Sequence, residues 1–439
     1  MKKLLILASA LLVAALSCKS PGGFDLTAED EALLDSIERR TIRYFTDFPG
    51  EYSGMARERN NDQNGNIVTV GGGGFGIMAI IAGAERGYYP KEEAVARIGM
   101  ITEFLRNVPR FHGAWAHWYV DETGQPFSFS EFDDGGDLVE TAFMAQGLLT
   151  ARQWLRREGT DGLLQRQIDT LWREIEWDWY TRGTDSLYWH WSPKYEWKMN
   201  HRITGYDETL ITYILGASSP TYPISRKCYE TSYKQSSYYY NGKKYFGIEL
   251  PLGMDYGGPL FFSHYSYLGL DPRGLCDGYT NYFERNRAHS LIHVEYAKAN
   301  PNGWPGYGED LWGFTSSDDP YLGYSGHYPG TPDDNGTVSP TAAVSSIVYT
   351  PEESMRAIRR FVELGMMGPY GLYDAYNERL PEGERIVKHY LAIDQGPEAV
   401  MIENFRSGLL WDLFMSAPEV REGLERLGFY YEEQPINLI

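Results

Sequence analysis

The chain has 439 residues, of which 23% are charged and 15% aromatic, and its formal net charge is −20 at pH 7. A chain of this composition is globular and long enough to bury a large core. The acidic balance disfavours nucleic acid and anionic lipid as partners, because both carry charge of the same sign. It also disfavours an anionic polysaccharide, although more weakly, since a local basic cleft can hide in the total.

At the start of the chain, Lys2 and Lys3 precede an apolar run that ends at Ser17-Cys18. The run is too short to span a bilayer, and its end resembles the bacterial lipoprotein signal. The resemblance implies cleavage before Cys18 and acylation of its thiol. We therefore predict a signal peptide at 1–17, a tether at 18–25 and a single domain at 26–439, anchored by lipid on the periplasmic face or the surface of a bacterial cell envelope.

Amphipathic and all-apolar segments then alternate along the chain. Helices with one apolar face are predicted at 27–47, 91–108, 161–177, 222–234, 279–299 and 352–364, and a polar helix at 418–427 closes the chain. Helices apolar on all sides, which must be buried, are predicted at 74–85, 137–154, 207–215, 259–268, 340–348 and 397–415. This alternation predicts an all-α (α/α)6 toroid, with six inner and six outer helices. Short connections make the inner helices parallel, so that their N-termini meet at one mouth.

The loops that lead into the inner helices are long and irregular, at 112–132, 187–204, 300–339 and 370–392. The first contains a predicted hairpin, with strands at 115–120 and 127–129. Loops of this length are typical of active-site walls. Five tryptophans are predicted to form aromatic walls for a sugar, namely Trp115, Trp118, Trp189, Trp191 and Trp312. The alternative is that such rings anchor the loops to the core.

Acidic side chains mark three of the inner-helix entrances, in the groups Asp133/Asp134/Asp137/Glu140, Asp207/Glu208 and Asp394. We expect Asp137 and Glu208 in the first turns of their helices and Asp394 just outside a helix that begins at Pro397. Two carboxyls across a cleft are what cleavage of a glycosidic bond requires, one protonated and one ionised. Helix capping is the structural alternative for each residue.

The sequence predicts no metal site, because the histidines lack metal-ligand spacing. Asp318-Asp319 and the acidic stretch 333–336 are interpreted as solvated turns rather than calcium ligands. Whether Cys228 and Cys276 form a disulfide stays open.

Three stretches resemble a known family. Asp133-Asp-Gly-Gly-Asp137-Leu-Val-Glu140, Gly205-Tyr-Asp-Glu208 and Leu391-Ala-Ile-Asp394-Gln-Gly-Pro, with Glu403-Asn-Phe-Arg406 further on, are similar to the glycoamylase-like domain of bacterial envelope proteins. More narrowly, they resemble glycoside hydrolase family 144, the bacterial β-1,2-glucanases, over roughly 26–427.

The resemblance implies inverting hydrolysis of β-1,2-glucan or its sophoro-oligosaccharides, without a cofactor. It implies that Glu208 is the general acid and Asp394 the base, with substrate bound near Asp133, Asp134, Asp137, Glu140, Glu403 and Arg406. Glu208 would need burial or a nearby anion to stay protonated, whereas Asp394 beside a helix N-terminus is expected to stay ionised.

Two other functions compete with this one. The first is a surface lipoprotein that binds glycan without cleaving it, and the second is a toroid that hydrolyses or transglycosylates another neutral glucan. Opposed acids favour an enzyme, since a binding protein needs the aromatic rings only. A polysaccharide lyase is disfavoured because it would need a cationic site for uronates. The expected partners are a neutral glucan, the membrane through the lipid alone, and other glycan-utilisation proteins of the envelope.

Overall fold

The computed structural model describes residues 24–61, 66–160 and 162–432. The predicted signal peptide and its lipidation site Cys18 lie outside these residues. The helices are α1 Ala28–Asp47, α2 Gly71–Glu85, α3 Lys91–Asn107, α4 Leu138–Arg157, α5 Gly162–Arg173, α6 Leu210–Ser218, α7 Arg226–Thr231, α8 Tyr282–Ala299, α9 Pro340–Ser345, α10 Pro351–Glu363, α11 Ala392–Arg406, α12 Leu409–Met415 and α13 Pro418–Leu427.

The inner ring follows the all-apolar segments. Helix α2 packs between α4 and α11, α4 continues to α6, and α11 continues to α9. The gap between α6 and α9 is filled by two 3-10 turns, Leu260–Ser263 and Tyr265–Tyr267. Ser266 Oγ accepts the Ile211 N–H of α6 at 3.0 Å, and His264 Nε2 lies 3.0 Å from Ser346 Oγ at the end of α9. The ring is therefore closed, and the predicted toroid is confirmed.

The outer layer consists of the amphipathic helices. Helix α1 covers α11 and α2, α3 covers α2, α5 covers α4, α10 covers α9, and α13 covers α6. Their buried residues fall on one stripe, as at Leu34, Ile37 and Thr41 of α1. Within the described ranges, no helix combines the length and the apolar character that crossing a bilayer requires.

The inner helices begin at the same end of the ring. The Gly71 N–H at the start of α2 donates to Glu140 at the start of α4, at 2.7 Å. At the opposite end, the Trp154 indole near the C-terminus of α4 donates to Glu85 at the C-terminus of α2, at 2.9 Å. The acidic entrances of the inner helices are thus brought together at one mouth, as predicted.

The strands are short, and most of them pair at the ring ends as hairpins. They are β1 Ile67–Thr69, β2 Trp118–Val120, β3 Pro126–Phe127, β4 Gly136–Asp137, β5 His190–Trp191, β6 Tyr240–Tyr245, β7 Ile248–Leu252, β8 Leu275–Cys276, β9 Ser316–Asp319, β10 Gly323–Gly326, β11 Thr337–Val338, β12 Met367–Gly368, β13 Gly371–Leu372, β14 Ala375–Asn377, β15 Ile386–Val387 and β16 Tyr430–Tyr431. The predicted hairpin is confirmed, with β2 antiparallel to both β1 and β3.

Three inner segments differ from their predicted form. The segment 259–268 is not an α-helix, because Gly257 and Gly258 enter it with φ of +100° and +76° and only 3-10 turns follow. The segment 340–348 forms a helix of only six residues. The segment 397–415 is two helices, broken at Gly408 with φ of +73°, where Asn404 Oδ1 accepts the Leu410 and Trp411 N–H groups.

The outer segment 222–234 is also shorter than predicted, since α7 has six residues and a 3-10 turn follows it. The two cysteines that the structure describes, Cys228 and Cys276, are both buried and free.

Candidate active site

A cavity of about 410 Å³ opens at the mouth where the inner helices begin. This volume suits a few sugar rings, since small-molecule sites usually measure about 300–1,000 Å³. Its walls combine aromatic rings with three carboxyl side chains. The lining residues are Glu58, Arg59, Thr69, His117, Trp118, Phe129, Glu140, Phe143, Trp189, Glu208, Phe261, Tyr265, Tyr324, Leu391 and Ile393.

The entrance of α4 forms one side of the cavity. Asp137 is the N-cap of this helix rather than a member of its first turn, because β4 pairs with β5 up to this residue. Its Oδ1 accepts the N–H groups of Val139 and Glu140, at 3.0 and 2.9 Å. Its Oδ2 lies 2.9 Å from His117 Nδ1. Burial opposes the charge of Asp137, but the hydrogen bonds and charges of His117 and His190 outweigh it and lower the pKa of this carboxyl.

His117 joins this acidic group to the cavity. Burial opposes a charge on the imidazole, but Glu140, Asp133 and Asp137 outweigh it and raise the pKa of His117 well above its ordinary value. The ring also stacks on Phe129, with centroids 4.4 Å apart. The carboxyls of Asp133, Asp137 and Glu140 therefore favour the charged form of His117 at the cavity wall.

Glu140 faces the cavity from the first turn of α4. Its Oε2 accepts the Gly71 N–H at 2.7 Å. Burial raises its pKa to about 7, and the charge of Asp137 adds to this effect while His117 opposes it. Glu140 is thus a carboxyl that can hold or release a proton near neutral pH.

Of the other two acids of this group, only Asp133 lies beside His117 among the described residues. Asp133 is buried, and its Oδ2 lies 3.4 Å from both His117 Nδ1 and His190 Nε2. Asp134 is half-buried and does not line the cavity. The donor atoms of His117, Asp133 and Asp137 lie within 4.8 Å of one another, a spacing that a cation could also use. The hydrogen bond and ion pairs of His117 explain this geometry without a bound cation.

Glu208 faces the cavity from the loop that precedes α6, not from the first turn of the helix as predicted. Its main-chain oxygen accepts the Ser266 hydroxyl at 2.5 Å. Its Oε2 is buried without a hydrogen-bond partner among the described residues. Burial, then the charges of Asp207 and Glu140, raise the pKa of Glu208 well above its ordinary value. This direction agrees with the protonated state expected of Glu208, whose role as the acid stays a prediction.

Asp207 stabilises this loop rather than capping the helix. Its Oδ1 accepts both the N–H and the hydroxyl of Thr209, and α6 begins one residue later. Burial raises the pKa of Asp207 to about 6. Two adjacent, half-buried carboxyls therefore meet at this entrance, which favours a proton on Glu208.

Asp394 lies inside α11, which begins at Ala392, five residues before Pro397. The prediction that Asp394 lies outside this helix is wrong, and the groups around it oppose its expected ionised state. Burial and then the neighbouring Asp374 raise the pKa of Asp394 well above its ordinary value. Its side chain stands behind the wall formed by Leu391 and Ile393. The helix N-terminus favours its charge, but a second carboxyl in contact with it outweighs this effect.

An ion-pair network borders Asp394. Arg59 donates to Glu58 at 2.6 Å and to Asp318 at 2.7 Å, and Asp318 Oδ2 lies 2.7 Å from His389 Nδ1. The interpretation of Asp318-Asp319 as a solvated turn is wrong, since both are buried in β9. Within the predicted turn 333–336, Asp334 is likewise buried.

Of the five predicted wall tryptophans, Trp118 and Trp189 line the cavity. Trp115 and Trp312 are fully buried, and their indoles donate to main-chain oxygens of Leu105 and Glu353. Trp191 packs instead against a group of rings, at Phe111, His112 and Trp179. The prediction is therefore wrong for these three, because tertiary packing turns their rings into the core or the outer loop.

Glu403 and Arg406 lie near the far end of α11. Glu403 is nine residues after Asp394, which places it about 14 Å away along the helix. It pairs with Arg86 at 2.6 Å, and Arg406 pairs with the fully buried Glu38 at 2.5 Å. The prediction that Glu403 and Arg406 lie in the substrate site is wrong. Both form ion pairs at the end of the ring where the inner helices finish.

Several wall residues had no prediction, namely Glu58, Arg59, His117, Phe129, Phe261, Tyr265 and Tyr324. His117 and Phe129 lie in the predicted hairpin; the length of its loop predicted an active-site wall but not these side chains. Glu58 and Arg59 precede β1, where the sequence carries no pattern that distinguishes them from a charged turn.

The chain resembles proteins of known structure over most of its length. Residues 200–418 match a family model described as "Glycoamylase: Putative glucoamylase". An endo-β-1,2-glucanase from Chitinophaga pinensis, solved with sophorotriose and glucose, is 46% identical, with 92% of this chain and 99% of that chain covered and a TM-score of 0.88. A "putative glucoamylase" from Bacteroides fragilis is 48% identical, with 94% and 100% covered and a TM-score of 0.88.

An exo β-1,2-glucooligosaccharide sophorohydrolase (non-reducing end) from Parabacteroides distasonis is 43% identical over 422 residues. The match covers 91% of this chain, but the chain spans only 58% of the length of that relative.

Proposed function

The chain belongs to the glycoamylase-like family, glycoside hydrolase family 144, and from this premise we propose that it hydrolyses β-1,2-glucan or its oligosaccharides with inversion at the anomeric carbon. The observation that carries the proposal is Glu208, a half-buried carboxyl on the wall of a sugar-sized cavity, whose Oε2 has no partner among the described residues and whose pKa is raised well above its ordinary value. A glycan-binding protein would have no use for such a costly group.

The proposed reaction uses Glu208 as general acid and Asp394 as base. Glu208 donates its proton to the glycosidic oxygen while the bond from that oxygen to the anomeric carbon breaks. Water attacks the same carbon from the opposite face, and its proton passes to ionised Asp394. The sum of these steps consumes one water and inverts the configuration. Because Asp394 lies behind the wall, it receives the proton of the attacking water either directly or through an intervening hydroxyl.

The cavity walls favour a neutral sugar. Trp118, Trp189, Phe129 and Tyr324 offer apolar faces, and His117 and Arg59 offer donors beside them. Sugars need both, since a pyranose has apolar faces and a rim of hydroxyls. The β-1,2 linkage follows from what the Chitinophaga and Parabacteroides relatives act on.

The test is to incubate the purified protein with linear β-1,2-glucan, laminarin and starch and to follow product sizes over time. We expect shortening of β-1,2-glucan only, and E208Q as a control without product. Cleavage of laminarin or starch instead would establish another neutral glucan as substrate. Binding of β-1,2-glucan in calorimetry without any product would establish the non-catalytic glycan-binding function.

We also propose that the protein is a lipoprotein of the bacterial cell envelope, held there by acylated Cys18, and that it works beside other glycan-utilisation proteins. The proposal rests on Lys2, Lys3 and the apolar run before Cys18. The full chain should partition into the detergent phase of Triton X-114 after expression in bacteria, whereas Cys18→Ala should stay in the aqueous phase. Equal partitioning of the two proteins would refute the anchor.

A further inference from the structure

Ser266 lies between the main chain of Glu208 and the start of α6, in the 3-10 turn Tyr265–Tyr267. Its side chain is fully buried. The Ser266 hydroxyl donates to the main-chain oxygen of Glu208 at 2.5 Å and accepts the N–H of Ile211 at 3.0 Å. One side chain therefore bridges the residue proposed as the acid and the helix that follows it.

Helix α6 needs such a partner in its first turn. The first N–H groups of a helix have no acceptor within the helix, and a capping side chain usually supplies one. Thr209, the N-cap of α6, makes no capping hydrogen bond with its side chain. Ser266 supplies an acceptor for Ile211 from a distant part of the chain. It thereby fixes the start of α6 relative to the turn.

The turn that carries Ser266 is itself held by two helices of the ring. Gln146 Nε2 of α4 donates to the main-chain oxygen of Tyr265 at 3.1 Å. The Trp411 indole of α12 donates to the main-chain oxygen of Tyr267 at 2.7 Å. The residues on both sides of Ser266 are thus bonded to the ring, so that its hydroxyl is a fixed point.

The carboxyl of Glu208 has less support of its own. Its Oε2 is buried without a hydrogen-bond partner among the described residues. The direction of this side chain therefore depends on the main chain that carries it. The same turn holds that main chain at a second point, because the hydroxyls of Tyr267 and Tyr206 are hydrogen-bonded to each other. Contacts with the turn thus lie before Glu208 and at Glu208 itself.

We propose that Ser266 is a positioning residue for the acid, which directs the Glu208 carboxyl toward the glycosidic oxygen by tying its main chain to α6. This inference rests on the proposed role of Glu208. Without the hydroxyl, the main chain at Glu208 loses a bond on the side of the helix. A misplacement of about 1 Å can lower a rate by about 10²-fold, because proton transfer requires a defined distance.

The first test compares S266A with the wild type on β-1,2-glucan and on an aryl sophoroside, whose phenolate leaves without a proton. Alanine removes the hydroxyl and adds no bulk. We expect kcat on the glucan to fall by about 10–10²-fold with KM nearly unchanged, and kcat on the aryl substrate to fall by less than about threefold. Equal deficits on both substrates, or an undiminished kcat on the glucan, would overturn the proposal.

The matched control is S346A. Ser346 is another fully buried serine, bonded to His264 and to the main-chain oxygen of Ala342 at the end of α9. Its replacement should lower stability and leave kcat on both substrates at the wild-type value. A loss confined to the glucan in S346A would overturn the proposal, because it would show that any lost buried hydroxyl has this effect.

A double-mutant cycle separates positioning from other effects of the substitution. In the E208Q background there is no proton to position, so that S266A should cause no further loss of kcat on the glucan. Losses that multiply in the double variant would overturn the proposal, since they would show that Ser266 acts independently of the acid.

The last test needs neither activity nor a folded variant. In the wild-type protein labelled with ¹⁵N-isoleucine, the Ile211 amide should exchange with solvent only through global unfolding, because its N–H is bonded to Ser266 inside the ring. Exchange at the rate of an exposed amide would overturn the bridge. Should the wild type cleave no glucan, the proposed function fails, and this exchange still decides whether Ser266 holds the start of α6.

Discussion

Replacement of Glu208 by glutamine tests the assignment of the general acid. The two side chains have nearly the same size, but the amide has no acidic proton to give. Glu208 lines the cavity with a buried Oε2 that has no partner among the described residues. The substitution therefore removes proton donation and leaves the cavity shape intact.

We expect kcat of E208Q on β-1,2-glucan to fall by about 10²–10⁴-fold, which is the range that general acid catalysis contributes. This loss corresponds to about 3–5 kcal/mol in the activation barrier. KM should stay within a few-fold of the wild type, because the aromatic walls are unchanged. The matched control is E131Q, an exposed acid near the mouth that should keep full activity.

The assay follows new reducing ends from β-1,2-glucan and, in parallel, phenol release from an aryl sophoroside. An aryl leaving group departs without a proton, so the deficit of E208Q should be much smaller on this substrate. Stability gives a further readout. The folded pKa of Glu208 lies above its unfolded value, so burial of the neutral acid stabilises below about pH 4.5 and this contribution is lost as pH rises. The melting temperature of E208Q should therefore exceed that of the wild type increasingly at alkaline pH. Turnover of the glucan within tenfold of the wild type, or equal deficits on both substrates, would refute Glu208 as the acid.

Three further predictions concern the cavity wall and the far end of the ring. Trp118→Ala should raise KM about tenfold through loss of ring stacking, with kcat and the melting temperature nearly unchanged; an unchanged KM would show that the ring is structural. Arg406→Met should cost about 3–5 kcal/mol of stability in urea titrations, because it leaves Glu38 buried and unpaired. The kcat/KM of the folded fraction should stay at the wild-type value. A specific loss of kcat/KM would show that Arg406 belongs to the substrate site. The wild type should lose about 3 kcal/mol of stability between pH 4.5 and pH 7, because folded Glu140 keeps its proton up to about pH 7 whereas the unfolded chain releases it. Glu140→Gln should not show this loss. The same difference in melting temperature between the two proteins at pH 5 and at pH 8 would contradict this.

The ring could be predicted from the sequence because burial on all sides leaves a mark along the chain. A helix such as α2, in which Phe75, Ile77, Ile80 and Ile81 cover several faces, can only lie inside other helices. The parallel direction of the inner helices then follows from short connections, and it places the acidic entrances together. The 259–268 segment escaped this reasoning because its apolar content says nothing about the turn that two glycines with positive φ impose.

The side chains of the site were less predictable, because tertiary contacts decide them. Trp115 and Trp118 belong to the same aromatic stretch, yet the indole of Trp115 donates to Leu105 in the core while Trp118 faces the cavity. Similarly, the position of Asp394 near a helix N-terminus predicted an ionised carboxylate. Burial and then Asp374, which lies twenty residues earlier in the chain, raise the pKa of this carboxyl, and no local pattern joins the two residues.

In the proposed mechanism, Glu208 and Asp394 act on opposite faces of one glycosidic bond. The most direct measurement is the ¹H NMR spectrum of the reducing-end product in the first minutes of β-1,2-glucan hydrolysis, before mutarotation equilibrates the anomers. We expect the α anomer first, because water attacks the anomeric carbon from the face opposite to the leaving oxygen. The β anomer as the first product would contradict it, since it requires a covalent glycosyl-enzyme and a nucleophile close to the acid.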